Sequence, residues 1–402
     1  MLAELLLAVL LGIIFGTFTG LAPGIHINLV GAALVSLSAS ILAGIQPLFI
    51  AALIASMAIT HTFLDFVPSV FLGCPDSDTG LSVLPGHEML KNGKGYEAVM
   101  LTVYGGVMAL IILAVVSFPI APLIEKVYGF LKAGYIMSGI LIAVSLVLVM
   151  SEKRKMNALI VLLLTGALGI CVLNMQNLNQ PLLPLLTGLF GSSSLIISLR
   201  EKVRIPPQEI KNPKLKENSK SFLRAFAGTL VASPICGFLP GLGSGEAAVI
   251  GTQVSRTDRK GFMILLGATN TLVMGLSFVS LYAISKTRTG AAAAINDLLG
   301  NFSWKILLVI IAAALIAGLA SFFTAKFFAK FFSRNITRIN YSKISVAVLL
   351  VLFVLVGIIS GILGLAILIT STLTGIYCIN SKVKRTNMMG CLLIQTIILY
   401  LA

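Results

Sequence analysis

The residues able to do chemistry are few, and several follow helix-breaking pairs. Pro23-Gly24 precedes His26 and Asn28, and Pro240-Gly241 precedes Gly243, Ser244 and Glu246. Proline removes an amide donor and clashes with the preceding turn, while glycine admits turns that other residues resist, so each pair ends a helix. The ends so created offer amides to an anion or carbonyl oxygens to a cation. Polar residues directly after each break suit a watery cavity better than lipid. The alternative is a tight turn outside the membrane between two ordinary spans.

Asp65 follows His61 by four positions, so on a helix the two share a face. Within an apolar run they suit a proton relay or a coupling-cation site; alternatively the span ends near Asp65 and both are wetted at the interface. Asp76, Ser77, Asp78 and Thr79 offer hard oxygens suited to Na+ or to a polar substrate, or form a solvated turn. Lys286 and Arg288 beside Thr287 and Thr289 suit a carboxylate or phosphate, or a plain positive-inside loop. Glu246 reads as a coupling-ion ligand or a loop residue. A coupling Na+ or H+ is the only cofactor these residues imply.

Other chemistry fails on spacing. His87-Glu88 starts like a zinc-protease helix, but Lys91 stands where the second His belongs. GLGSGE, from Gly241, has no Walker lysine after it. There is no serine nucleophile elbow and no Gly-x-Gly-Asp aspartate pair, which argues against an intramembrane enzyme. Cys74, Cys171, Cys236, Cys378 and Cys391 are scattered without a C-x-x-C and read as buried small hydrophobes.

The elements that must position these residues are apolar spans. Of 402 residues 57% are hydrophobic and 11% charged, with a mean hydropathy of +1.03, whereas soluble domains carry about 25% charged residues. The net charge of +15 sits mainly in short loops, the positive-inside pattern, and not on a nucleic-acid-binding surface. Spans are expected near 2–22, 27–43, 47–73, 96–117, 133–150, 157–174 and 181–199, then 221–239, 244–255, 261–285, 304–327, 344–358, 361–378 and 388–402. The N-terminal run lacks the basic n-region and cleavage site of a signal peptide and is expected to stay as the first span. FAKFFSRNITRINYSK, from Phe328, suits a helix end or an interfacial segment.

The fold class expected is an all-α polytopic membrane protein of roughly 10–14 membrane segments in two related halves with Pro-Gly-broken or re-entrant helices. Residues 1–199 form the first repeat, the hydrophilic stretch 200–220 a cytoplasmic linker, and 221–402 the second repeat. The Pro-Gly pairs lie 217 residues apart, and SEKRKMNALIVLLL from Ser151 resembles SKVKRTNMMGCLLIQ from Ser381, an offset of 230. Near-equal offsets indicate duplication, a common build for transporters.

GTFTGLAPGIHINLVG and GFLPGLGSGEAAVIG resemble the two Gly-rich Pro-Gly motifs of the large membrane subunit of the tripartite tricarboxylate transporters. Residues 65–100 resemble that family's broken helix and acidic-polar loop, and PLLPLLTGLFGSSSLII, from Pro181, its element before the central linker. The stretch from Asn270 occupies the place of the second-half counterpart, which adds Asn270 to the substrate-binding candidates. The chain departs where the family has Ile-Pro-Gly, at Cys74, Pro75 and Asp76 and at Ile284, Ser285 and Lys286.

The expected function is a secondary transporter in the cytoplasmic membrane, moving a small organic anion such as a di- or tricarboxylate with Na+ or H+ by alternating access. Its substrate-binding candidates are Pro23, Gly24, His26, Asn28, Pro240, Gly241, Gly243, Ser244, Asn270, Lys286, Thr287 and Arg288. The coupling candidates are Asp65, Asp76, Asp78 and Glu246. The alternative is a carrier of polyprenyl phosphate. Expected partners are the anion or lipid phosphate and membrane lipids, and homo-oligomers stay open. The resemblance adds a small membrane subunit and a solute-binding protein.

Overall fold

The structure, a computed structural model, describes residues 2–22, 30–31, 34–35, 44–73, 79–131, 134–176, 178–200, 205–214, 219–238, 244–338 and 341–401. Among them there are helices and no strand. In chain order these are α1 (Leu2–Leu21), α2 (Pro47–Leu64), α3 (Phe66–Leu72), α4 (Val83–Lys91), α5 (Gly95–Val116), α6 (Ala121–Leu131), α7 (Gly134–Met150), α8 (Lys155–Leu173) and α9 (Leu182–Leu186). A π-helical turn, Thr187–Ser192, leads into α10 (Ser193–Arg200). There follow α11 (Ser219–Phe238), α12 (Ser244–Ser255), α13 (Arg259–Ile284), α14 (Gly290–Leu299), α15 (Trp304–Asn335), α16 (Tyr341–Asn380) and α17 (Gly390–Leu401). Seven helical segments of the described chain are long and apolar enough to cross a membrane, so the protein is a multi-pass membrane protein.

Two compact units are each drawn from both sides of the 200–220 stretch. The first comprises Met1–Pro68, Tyr96–Gly129 and Ile210–Phe332, the second Ser69–Gly95, Phe130–Glu209 and Ser333–Ala402.

In the first unit α1 shows the packing rule. Leu2, Leu6, Leu10, Ile14 and Phe18, a turn apart, are exposed, while Ala8, Gly12, Gly16 and Gly20 are buried. Large apolar side chains outside and small ones inside is the arrangement lipid allows, because backbones then approach closely and gain dispersion contacts. A Cβ at Gly12 would lie 2.6 Å from the Leu53 carbonyl oxygen, and one at Gly16 2.5 Å from that of Met57, so α1 rests on the α2 backbone. The same device joins α5 to α13, where Cβ atoms at Gly105 and Gly267 would run into the Ile264 and Thr102 carbonyl oxygens. Asp258 starts α13, its Oδ1 accepting from Gly261 N at 3.0 Å. Ser285 ends it with φ 50° and ψ 34°, a left-handed cap that any side chain takes with strain.

In the second unit α8 packs on α17 with Gly169 against the Cys391 carbonyl, and the π-helical turn packs on α16 at Gly188 and Gly375. The two spans expected near 344–358 and 361–378 are the two arms of α16. Gly361 has φ 67° and ψ −164°. A Cβ at Gly357 would lie 3.7 Å from Leu365, eight residues on, whereas eight residues of straight helix span about 12 Å. The chain therefore reverses at Gly361, where the positive φ suits glycine.

Two segments carry structure beyond what the sequence indicates, and one expectation needs correction. The span near 304–327 continues to Asn335, so the Phe/Lys stretch extends a helix. The hydrophilic linker is docked where it is described: Gln208 accepts from Gly95 N at 2.8 Å and donates to Leu90 O at 3.0 Å, and Glu209 N donates to Gly93 O at 2.8 Å. In the first unit Tyr96 donates to Asn212 at 2.8 Å. Cys171 is exposed, in contrast to buried Cys236, Cys378 and Cys391, because the outer face of α8 is itself apolar and accepts a thiol as readily as a methyl group.

Replacing Gly267 by Val puts side-chain atoms into the Thr102 backbone and is expected to cost about 1–3 kcal/mol or more. Gly139, in α7, has open space where a Cβ would stand, with no atom within 4 Å, so Gly139→Ala is expected to stabilise by about 0.5–1 kcal/mol. Thermal unfolding in detergent should move in opposite directions for the two variants.

Candidate functional site

The site builds outward from one polar band at the C-terminal end of α2. Thr60, His61 and Thr62 are consecutive, so their side chains leave the helix about 100° apart and face different neighbours. Thr60 Oγ1 accepts from Ser321 of α15 at 3.0 Å, His61 Nδ1 lies 3.1 Å from Thr19 Oγ1 of α1, and Thr62 Oγ1 lies 3.1 Å from Thr271 Oγ1 of α13. Asp65 caps the helix, its N–H donating to His61 O at 3.0 Å. Its Oδ2 accepts from Asn270 Nδ2 of α13 at 2.8 Å. The helix is interrupted at Asp65 before α3, and Pro68 cannot supply the main-chain donor that would face the Leu64 carbonyl.

His61, Asp65 and Asn270 are 4%, 3% and 3% exposed. Both side chains of the His61/Asp65 pair are thus enclosed by protein. The carboxylate is enclosed by protein, with the Asn270 amide donating to Oδ2. Such a group can release or take a proton, or share a small cation with neighbouring oxygens.

A second junction lies at the end of α11. Arg288 Nε donates to the Cys236 carbonyl at 2.6 Å. That carbonyl belongs to the last turn of α11, where main-chain acceptors lack helical partners and a cation is favoured. Thr289 holds the following helix: its Oγ1 accepts from Ala292 N at 3.2 Å and pairs with Ser277 Oγ at 3.0 Å. Lys286 and Thr287 are exposed in the same connection. Ser244 opens α12 and is buried, and Glu246 follows in its first turn.

The structure thus brings Asp65 to Asn270, and Arg288 to the carbonyl end of α11. Pro23, Gly24, His26 and Asn28, Pro240, Gly241 and Gly243, and Asp76 and Asp78 lie outside the described residues, as do Cys74 and the span expected near 27–43 for most of its length. Thr19, Thr60, Thr62, Thr271 and Ser321 join the site without being marked by the sequence reading. The signal that points to them is the density of hydroxyls in THT and TNT within apolar runs.

In the second unit His87 of α4 is buried, with Nε2 2.6 Å from where a Cβ on Gly73 would stand; Gly73 has φ 67°. Burial, reinforced by Arg385 and Lys91, pushes His87 down to about 3, so it is neutral at ordinary pH. No group of three or more His, Cys, Asp and Glu that could hold a metal occurs among the described residues.

Asn270→Leu removes the donor facing Asp65 and should destabilise by about 1.5–3 kcal/mol, the range for hydrogen bonds to charged groups. Lys286→Ala, at an exposed position, should stay within about 0.5 kcal/mol of the parent. Apparent melting temperatures in one detergent compare them.

Comparison with known proteins agrees with this architecture. The chain is 29% identical over 407 residues to "Uncharacterized protein MJ1079" of Methanocaldococcus jannaschii, covering 98% of this chain and 99% of that one. No solved structure matches it. The tripartite tricarboxylate transporter TctA family matches residues 6–390, nearly the whole length. With seven helices long and apolar enough to cross a membrane among the described residues, and a polar band enclosed between α2 and α13, the chain belongs to the tripartite tricarboxylate transporter TctA family, a family of transporter membrane components.

Proposed function

We propose that this protein is the permease of a secondary active transporter, resident in the cytoplasmic membrane, which moves a small organic anion of the di- or tricarboxylate class. A Na+ or H+ gradient drives it, and alternating access carries the substrate across. The observation that carries the reading is Asp65, a carboxylate enclosed among Asn270, His61 and Thr62 in a helix otherwise fit to span lipid. A buried carboxylate in a spanning helix is costly, and its presence there supports a function that needs it.

In this reading Asp65 serves the coupling ion, with Asn270 holding the carboxylate in place. The substrate carboxylates meet helix ends near Gly24 and Gly243, with Lys286 supplying charge. Arg288 acts as a positioning residue, because its Nε engages the Cys236 carbonyl and so fixes where α11 ends. A small membrane subunit and a solute-binding protein complete the system, as the family membership supports. The two Pro-Gly regions are duplicated elements of two repeats, 1–199 and 221–402, joined through 200–220.

The test is uptake into proteoliposomes of a carboxylate panel under imposed Na+ and proton gradients, with and without the small subunit and binding protein, alongside binding of polyprenyl phosphate. Asp65→Asn preserves size and hydrogen bonding and should fold like the parent while losing gradient-driven uptake by about 100-fold or more; a carboxylate with only a structural role would leave uptake within a few-fold. Gly243→Leu should also abolish uptake. Saturable polyprenyl phosphate binding with no gradient-dependent carboxylate uptake would overturn the proposal in favour of a lipid carrier.

A further inference from the structure

Helix α15 is longer than the hydrocarbon it crosses. Its 32 residues extend about 48 Å at 1.5 Å per residue, against about 30 Å of hydrocarbon and 40–45 Å of bilayer including headgroups. The start is anchored by Trp304, 54% exposed, with the Lys305 Nζ 6.0 Å from its ring centroid. From Ile306 to Ala325 there follow 20 residues without a charge, enough to cross the hydrocarbon. Lys326 therefore arrives at the opposite headgroup layer, and Lys330 and Arg334 each lie a further turn out.

Those last turns have a four-residue period on three faces. Ala325, Ala329 and Ser333 are buried, so this face packs on protein. Phe323, Phe327 and Phe331 are 70%, 64% and 51% exposed. Lys326, Lys330 and Arg334 each follow one of these rings by three positions and so stand beside it on the helix surface. No acidic residue occurs anywhere from residue 298 to 402, whereas nine Lys and Arg do, so this part of the chain supplies no carboxylate of its own to the stripe.

We propose that this face of α15 is a binding site for an anionic phospholipid. Lys326, Lys330 and Arg334 take the headgroup phosphate, and Phe323, Phe327 and Phe331 lie at the headgroup–acyl boundary. The ring stripe selects a lipid over an acidic soluble partner, because exposed rings one turn apart need apolar matter at the level where the cations need anions. The charge stripe selects an anionic lipid over a zwitterionic one, since juxtamembrane Lys and Arg act additively on anionic headgroups. The site is independent of the transport reading.

Protein in nanodiscs of mixed phosphatidylglycerol and phosphatidylcholine tests this, with bound lipid counted by native mass spectrometry after release. The parent should retain phosphatidylglycerol in preference to phosphatidylcholine. The triple variant Lys326→Gln, Lys330→Gln, Arg334→Gln should lose that preference by about tenfold or more, and Phe323→Ala, Phe327→Ala, Phe331→Ala should weaken it with the cations intact. Lys382→Gln, Lys384→Gln, at exposed cations elsewhere, should leave it unchanged. Equal retention by parent and charge variant overturns the site, as does an equal loss in the Lys382/Lys384 control. Undiminished retention when inorganic phosphate or an acidic peptide is added supports it, and displacement by either at low concentration overturns it. Should the triple variant fail to fold, the parent's own preference decides, and its absence overturns the proposal.

Discussion

Hydrocarbon offers no hydrogen-bond partner, and the rest of this structure follows from how the polar band of α2 meets that constraint. A polar group left unpaired in such surroundings costs several kcal/mol. Thr60, His61, Thr62 and Asp65 therefore need partners from protein, and they find them on three different helices, α15, α1 and α13. A helix that must satisfy side chains in three directions has to be surrounded. The window that best fits a span in α2–α3 is 83% buried and that of α13 94%, against 28% for α1. The same enclosure that brings Asn270 to Asp65 Oδ2 removes the carboxylate from water.

Surrounding a helix closely requires small residues at the contacts. Between helices already in lipid there is little hydrophobic gain from burying a leucine, so association relies on backbone proximity. Glycines do that here, at Gly12 and Gly16 against α2 and at Gly105 and Gly267 between α5 and α13. The close approach has a further effect on chemistry, because only backbones this near let short side chains such as Thr62 and Thr271 meet across the interface. The glycine contacts and the threonine bridge are thus one arrangement seen at two positions along the same pair of surfaces.

The spanning helices are legible in the sequence because length and apolarity are one-dimensional properties, and expected bounds such as 47–73 and 261–285 lie within a few residues of the helices found. Asp65 and Asn270 each stand out on different grounds, but their pairing does not, since 205 residues separate them and a period of 3.6 says which face a residue occupies without saying what it faces. The reversal at Gly361 is hidden as a local geometry: an apolar run interrupted by a Gly and a Ser reads as a gap between spans, and φ decides that the arms turn back. The docked stretch 205–214 is hidden for the opposite reason. Its composition is that of a solvated linker, and what holds it is a set of specific hydrogen bonds from Gln208, Glu209 and Asn212 that composition does not encode.

Arg288 shows most clearly how position changes the meaning of a residue type. Beside Lys286 and two threonines it reads as a receptor for an anion, and that reading treats its charge as available. In the structure its Nε lies on the carbonyl end of α11, which carries the negative pole of that helix. Its positive charge is thereby partly matched by the helix it caps. For the proposed substrate the start of α12 at Ser244 is a second candidate receptor, since the amide end of a helix favours an anion. Where the chain departs from Ile-Pro-Gly, at Ile284, Ser285 and Lys286, the cap that Ser285 makes in the left-handed region precedes Arg288, which reaches the Cys236 carbonyl.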